Sequence, residues 1–458
     1  MKINSADIKR VYFIGIGGIG MSALARYFHE QGVVVSGYDR TPSTLCRQLE
    51  QEGISIHYDE DIDAIDREAD VVVYTPAVPP DHAELLYYRN HGYPLFKRSE
   101  MLGMICKNMT AIAIAGTHGK TTTTTLIAHI LRHCGRTSYT FLGGISVNYQ
   151  TNYWKGTEPL VVVEADEYDR SFLHLHPYIA VVTSMDPDHL DIYGTKEAMQ
   201  DAYFQFAQQL KPGGCLIYHK GIAREEEWQK IATYSYHLHD PKADFYATNV
   251  RIQDGHYRFD VQAQHMVIED LCMQTGGLYN VENAVAAIAV VRQLGLDSKQ
   301  IKDAIQHFKG VKRRFEYILK RADIVFIDDY AHHPQELKAL LSSAKEFYPD
   351  QRLHVVFQPH LYSRTRDLAR EFAASLDLAD RVWLLPIYPA RELPIPGVSS
   401  ELIRDFMKKA EVSCVDKKEL IVELSEKKPK LLITAGAGDI DQLIPEIVQI
   451  YQSTSYAA

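Results

Sequence analysis

The stretch 111-AIAIAGTHGKTTTTT-125 decides how this chain is read. An alternating run of alanine and isoleucine gives way to a loop of glycine, threonine, histidine and lysine, and then to a row of threonines. An apolar run that breaks at Gly116 and resumes as a helix near Lys120 has the strand–loop–helix frame of a phosphate-binding loop. Gly119, Lys120 and Thr121 match the end of the G-x-x-x-x-G-K-[ST] pattern; Ile114 stands where its first glycine would be, and Gly116 supplies an earlier hinge. In such a loop backbone N–H groups surround an anion, the lysine reaches β- and γ-phosphates, and the hydroxyl holds Mg2+. The expected ATP contacts are therefore Gly116, Thr117, His118, Gly119, Lys120, Thr121 and Thr122. Threonine is a mediocre helix former, so the row is not there for propensity, and Thr123 to Thr125 are read as packing. An ordinary strand–turn–helix connection that binds nothing is the bland alternative.

Working back toward the N-terminus, Gly15, Gly17 and Gly20 spell G-x-G-x-x-G. They follow the strand pattern RVYFIGI and open the helix pattern GMSALARYFHEQG. Asp39 ends the next strand pattern, roughly 20 residues on, where a ribose-binding acid would sit. The loop reports a nucleotide pyrophosphate at a helix N-terminus but does not name the base. A nicotinamide oxidoreductase uses this loop and leaves the second idle. A simple ATPase, or a regulatory nucleotide-binding module, uses the second and leaves the first idle. An enzyme that joins a nucleotide-linked substrate to something else, using ATP, employs both.

The rest of the composition is consistent with that. At 458 residues the chain is long enough for two or three domains, and a net charge of -10 argues against a nucleic-acid partner held through its phosphates. Cys46, Cys106, Cys134, Cys215, Cys272 and Cys414 are scattered outside metal-ligand spacing, as reduced thiols of a cytoplasmic protein would be. The start lacks the apolar run of a signal peptide, and no segment approaches the length of a membrane span. Strand and helix patterns alternate from the start, with DVVVYTPAV read as a strand from Asp70 to Val78, and restart near Lys107 and Gly310. The expected architecture is α/β with three domains, 1–107, 108–312 and 313–458, each built on a parallel sheet with crossover helices.

Taken in order, FIGIGGIGMS, GTHGKTTTT, EADEYDRSFLHLHP, DPDHLDIYG, NVENAVAAIA, GVKRRFE, IDDYAHHPQE, FQPHLYSRT and GAGDI resemble the motifs of the Mur ligases, the ATP-dependent amide-forming enzymes of peptidoglycan precursor synthesis. The resemblance runs nearly end to end and lies with the alanine-adding members. It implies a Rossmann-like UDP-sugar domain, a central P-loop ATPase-type domain, and a C-terminal Rossmann-like domain that helps bind the amino acid. The implied substrates are ATP, UDP-N-acetylmuramate and L-alanine, with Mg2+, in a cytoplasmic monomer or homodimer.

The resemblance also implies roles. Lys120, Glu164, His189 and His332 would be catalytic, with Thr121, Glu164 and His189 at the metal. Asn280, Asn283, Arg314 and Asp329 would join the ATP loop in holding the nucleotide. Gly17, Gly18, Ile19, Gly20, Asp39, Thr75, Arg98 and His118 would meet the UDP-sugar. His332, His360 and Arg364 would meet the amino acid, Arg364 by bidentate pairing with its carboxylate. Asp166 and Glu167 crowd the turn after Glu164 and can equally be a solvated acidic loop; Asn280 and Asn283 can be helix caps; His333 is read as packing before Pro334. Three positions depart from the alanine-adding pattern: Leu361 where arginine is common, Tyr279 where histidine is usual, and Tyr168 where a small residue is expected. Tyr168 is a feature of the recycling branch, which attaches a whole tripeptide to the same sugar nucleotide.

Overall fold

The computed structural model describes residues 7–187, 190–264, 266–390 and 392–452. Its strands form three sheets, and the chain divides into two compact units. The larger unit holds the chain up to Val250 together with Phe259–Cys272 and Glu282–Phe308; the smaller holds Arg251–Arg258, Met273–Val281 and the chain from Lys309 on.

Within the larger unit, the first sheet has the order Ser55–His57, Val34–Tyr38, Arg10–Ile14, Val71–Tyr74, Leu95–Lys97, all parallel. Val11, Tyr12, Phe13 and Ile14 on its central strand have no solvent exposure, as expected of a parallel sheet covered on both faces. The strand expected from Asp70 to Val78 stops at Tyr74. Pro76 has no N–H for the ladder, and the Val78 N–H turns back to the Thr75 carbonyl at 3.0 Å.

The second sheet has ten strands. Its parallel body runs Tyr234–His237, Cys215–His219, Ile179–Val182, Thr110–Ala115, Leu160–Glu164, Tyr139–Phe141. Thr110–Ala115 therefore lies between Ile179–Val182 and Leu160–Glu164, and its loop opens at the carboxyl ends of all three, where α/β sites are built. The helix Lys120–His133 follows directly.

The smaller unit carries a six-stranded sheet in the order Glu316–Lys320, Val325–Asp329, Leu431–Ala435, Leu353–Phe357, Arg381–Leu384, Glu411–Cys414. The first pair is antiparallel and the rest parallel. Helices Pro334–Phe347 and Tyr362–Leu376 pack on one face through Leu337, Leu341 and Phe372, and helices Lys417–Lys427 and Ile444–Gln452 on the other through Leu420, Leu424 and Ile447. All six cysteines are free. Among the described residues, no helix is long and apolar enough to cross a membrane.

Candidate active site

The loop after Thr110–Ala115 is held open by backbone that only glycine adopts readily. Gly116 has φ +135° and Gly119 φ +81°. A Cβ at 116 would stand 2.0 Å from Thr183 Oγ1, and one at 119 would stand 2.6 Å from Asn283 Oδ1. Thr183 and Ser184, at the end of the neighbouring strand, clamp the loop: the Ser184 hydroxyl accepts from His118 N–H at 2.8 Å, and the Thr183 hydroxyl donates to the Ala115 and His118 carbonyls. Thr117 Oγ1 donates to the Asp186 carbonyl at 2.8 Å. The helix behind the loop begins at Lys120 with no side-chain cap and no acid in its first turn, which leaves its positive end for an anion. Thr123, Thr124 and Thr125 are fully buried, and Thr124 and Thr125 donate to the Lys120 and Thr121 carbonyls, the packing role expected of them.

Two carboxylates organise the reactive side chains. Lys120 Nζ lies 2.8 Å from Glu167 Oε2 and donates to the Gly116 carbonyl at 2.6 Å. Burial opposes the charge on Lys120, but Glu167, Asp166 and Glu164 outweigh it and hold its pKa above the ordinary lysine value. Thr121 Oγ1 sits 3.0 Å from both oxygens of Glu164, and Glu164 Oε2 accepts from the Gly143 N–H at 3.0 Å. A hydroxyl and a carboxylate on one spot are the hard oxygen donors that Mg2+ takes. His189 lies outside the described residues.

The GIGGIG loop is assembled around Asp39. Its carboxylate accepts from Gly17 N–H at 2.8 Å and Thr41 N–H at 3.0 Å, so this acid shapes the loop. Gly18 caps the helix Ile19–Glu30 without a side-chain hydrogen bond. Thr75 and Arg98 close in on the glycines: a Cβ at Gly15 would stand 2.8 Å from Thr75 Cγ2, and one at Gly20 would stand 2.9 Å from Arg98 Cδ. Arg98 Nη2 also lies 3.4 Å from Asp166, and Lys97 pairs with Asp169 at 2.7 Å, so the segment beside the glycines is tied by charge to the acidic turn after Glu164. A small pocket there is lined by Arg98, Glu164, Asp166 and Ser171 together with the apolar Leu102, Phe172 and Leu175. Tyr168 begins the short 3-10 segment Tyr168–His174, in which Asp169 and Arg170 take left-handed φ of 53° and 54°. The sequence left Glu167 undecided and missed Thr183 and Ser184, since small polar residues at a strand end form no motif.

The smaller unit gathers the other expected residues. Asp329 is buried and accepts from the Phe315 N–H at 2.7 Å and the Ala331 N–H at 2.8 Å. Burial pushes its carboxyl up to about 6, partly countered by Arg314. The Arg314 guanidinium sits 5.5 Å from the centre of the Tyr330 ring. Tyr279 follows Gly277, whose Cβ position is 2.5 Å from its ring, and its phenol is pushed well above the usual tyrosine value, by burial first and Asp329 second. Asn280 does not cap its helix; its amide donates back to the Gly276 carbonyl at 2.6 Å.

His332 Nδ1 faces the Tyr330 carbonyl at 2.9 Å, which makes that nitrogen the N–H and leaves Nε2 with the lone pair. Burial lowers its pKa from the usual histidine value, which favours the neutral ring. His360 packs 6.0 Å from His332 and stacks on Tyr388, and burial followed by His332 and Arg364 lowers it to about 4. Leu361 takes φ +72° as the N-cap of Tyr362–Leu376, a position that aliphatic residues rarely adopt. His333, expected only to pack, caps the helix Pro334–Phe347 in a box with Glu336.

Comparison with known proteins gives the same layout. Three sequence-family models match: "Mur ligase family, catalytic domain" over residues 10–110, "Mur ligase middle domain" over 114–291, and "Mur ligase, glutamate ligase domain" over 313–438. The UDP-N-acetylmuramate–L-alanine ligase of Phocaeicola vulgatus is 47% identical over 457 residues, covering 98% of each chain. The crystal structure of the UDP-N-acetylmuramate–alanine ligase of Thermotoga maritima superposes with a TM-score of 0.84 at 30% identity, covering 97% of this chain and 99% of that one. A murein peptide ligase from Psychrobacter arcticus shares the fold with a TM-score of 0.70 at 24% identity, covering 96% and 98%.

Proposed function

The chain belongs to the Mur ligase family, and we infer from that premise that it catalyses the ATP-dependent ligation of L-alanine to UDP-N-acetylmuramate. The observation that carries this reading is the presence of two nucleotide-type loops in one compact unit, with Arg98, packed beside Gly20 of the first, paired to Asp166, whose charge acts on Lys120 of the second. A dehydrogenase or a plain ATPase would leave one of those loops without a task. The recycling reaction is less well supported, because the structural likeness to the murein peptide ligase is weaker than that to the alanine ligase.

In the proposed reaction a lactyl carboxylate oxygen attacks the γ-phosphorus and the bond to the β-phosphate oxygen breaks, giving an acyl phosphate and ADP. The amine of L-alanine then attacks the acyl carbon, and phosphate leaves as the amide forms. Charge accumulates on phosphate oxygens in the first step and on the tetrahedral carbon's oxygen in the second. Lys120 is assigned to the β- and γ-phosphates, and the amides of the Gly116–Gly119 loop to the same group. Thr121 and Glu164 fit a Mg2+ ion, which would neutralise phosphate charge when bound. The family resemblance adds His189 to that site. Gly17, Gly18, Ile19 and Gly20 are assigned to the UDP diphosphate, with Thr75 and Arg98 beside them and His118 toward the sugar. Asn280, Asn283, Arg314 and Asp329 are assigned to ATP. His332, with its Nε2 lone pair, is assigned to receive a proton from the ammonium, and His360 and Arg364 to hold the amino acid. The domain limits 1–107, 108–312 and 313–458, a cytoplasmic setting, and a monomer or homodimer belong to the same proposal.

The test is phosphate release with ATP, Mg2+ and UDP-N-acetylmuramate, offered L-alanine, glycine, L-serine or the recycled tripeptide in turn. Release that needs the sugar nucleotide and is fastest with L-alanine is expected. Release with the tripeptide alone would move the chain to the recycling reaction, and none with any acceptor would overturn the reading.

A further inference from the structure

We propose that Arg313 is a positioning residue for Arg314: anchored on Asp328 and on the carbonyls of Gly436 and Gly438, it fixes the turn that presents Arg314 to its anion. The inference rests on the assignment of Arg314 to an ATP phosphate.

The turn is built from conformations that its residues do not favour. Arg313 takes φ +58° and Phe315 φ +47°, so both neighbours of Arg314 lie in the left-handed region. Such a turn persists only where its surroundings determine it. Both neighbours are determined here by consecutive acids of one strand. Asp329 accepts from the Phe315 N–H at 2.7 Å, and the Phe315 ring fills the space beside Gly276, where a Cβ would stand 2.0 Å from it.

Asp328 faces Arg313 through charge rather than through a hydrogen bond. Its side chain has no solvent exposure, and its Oδ2 lies 3.4 Å from Arg313 Nε. Thr434 Oγ1 donates to the other oxygen at 2.6 Å.

Arg313 is mostly buried, with backbone and side chain both engaged. Its N–H donates to Glu316 Oε2 at 2.8 Å, and its carbonyl accepts from the Tyr330 N–H at 2.7 Å. Its guanidinium donates to the Gly436 carbonyl and, at 3.4 Å, to the Gly438 carbonyl, and lies 3.5 Å from Asp441. The Tyr330 ring lies under both arginines, 5.0 Å from Arg313 and 5.5 Å from Arg314. Arg313 thus ties the GVKRRFE turn to the GAGDI loop through its guanidinium. Only a planar fork reaches two carbonyls and a carboxylate at once, so lysine keeps the charge and loses the geometry.

The experiment is a double-mutant cycle in the full-length protein, read as the ATP dissociation constant by calorimetry and as KM for ATP and for L-alanine. R313K is expected to weaken ATP binding about 10- to 100-fold, the scale of a displaced binding group, with KM for L-alanine unchanged. In the R314A background, R313K is expected to cause no further loss. Should R313K not fold, D328N, which keeps the shape and replaces the carboxyl beside Arg313 Nε with an amide, is expected to give the same pattern. Full ATP affinity in both R313K and D328N, or a loss that simply adds to that of R314A, would overturn the positioning role. An R314A variant with unchanged ATP affinity would instead overturn the assignment of Arg314, and the proposal with it.

Discussion

Lys120 and Glu167 form an ion pair at 2.8 Å in which the carboxylate is only 1% exposed and the lysine side chain 12%. The phosphate loop's one lysine is therefore held against the loop by a specific acid rather than extended into solvent. Replacing Glu167 with alanine strands a mostly buried ammonium beside the loop carbonyls. The variant is expected to lose about 3 kcal/mol of stability, the scale of a broken buried pair, with a lowered melting temperature. E167Q, which keeps a hydrogen-bond acceptor, is expected to lose less.

Gly119 admits no side chain, since its φ is +81° and Asn283 Oδ1 lies 2.6 Å from its Cβ position. G119A is expected to cost about 1–2 kcal/mol from the backbone alone. It is also expected to raise KM for ATP sharply while KM for UDP-N-acetylmuramate stays near its original value. N283A should partly relieve the clash in G119A, which a melting-temperature comparison of the single and double variants would show.

Thr121 Oγ1 and Glu164 share their contact at 3.0 Å. T121V keeps the shape of the side chain and removes the oxygen. It is expected to weaken the response to Mg2+ by about 10- to 100-fold, seen as a rightward shift of the Mg2+ titration of phosphate release, and T121S is expected to restore it.

Asp39 accepts from two backbone N–H groups, Gly17 at 2.8 Å and Thr41 at 3.0 Å. D39A leaves both without that partner, at a cost of about 1–3 kcal/mol. The expected signature is a raised KM for UDP-N-acetylmuramate with KM for ATP unchanged, measured by varying each substrate at saturation of the others.

His360 is lowered from 6.5 to about 4 by burial and by its cationic neighbours. A base whose pKa is depressed by folding contributes stability that is present above its unfolded value and lost as pH falls through the folded one. The contribution of His360 to the stability of the smaller unit is therefore expected to decline from about pH 6.5 toward 4, against the opposite contribution of Asp328 and Asp329, whose burial-raised carboxyls favour the folded state as pH falls. H360Q should flatten that decline in a melting curve taken across the range.

Much of this was legible from the residues. The GIGGIG loop, the GTHGKT loop and Glu164 at the end of an apolar run announce themselves, because glycine spacing and strand ends follow local backbone rules. Asp39, Thr75 and Arg98 were named from the sequence, and the structure brings them to one loop. Glu167 was not separable from a solvated acidic turn, because its meaning comes from Lys120, far away in sequence. Thr183 and Ser184 carry no motif, since only the order of strands in the sheet sets them against the loop. The end of the strand at Tyr74 was missed because apolar residues continue past Thr75 while Pro76 breaks the ladder. His333 was passed over because capping by a histidine nitrogen is a property of geometry rather than of residue type.

The contacts at Gly116 and Gly119 have a consequence for inhibition. A Cβ at either position would collide with Thr183 or Asn283, and both glycines sit at positive φ. At these two positions the backbone surface of the loop therefore resists single substitutions, because the positive φ strains any side chain even where a neighbour gives way. A compound that binds through those amides would meet a surface that substitution of these two glycines cannot reshape without straining the loop.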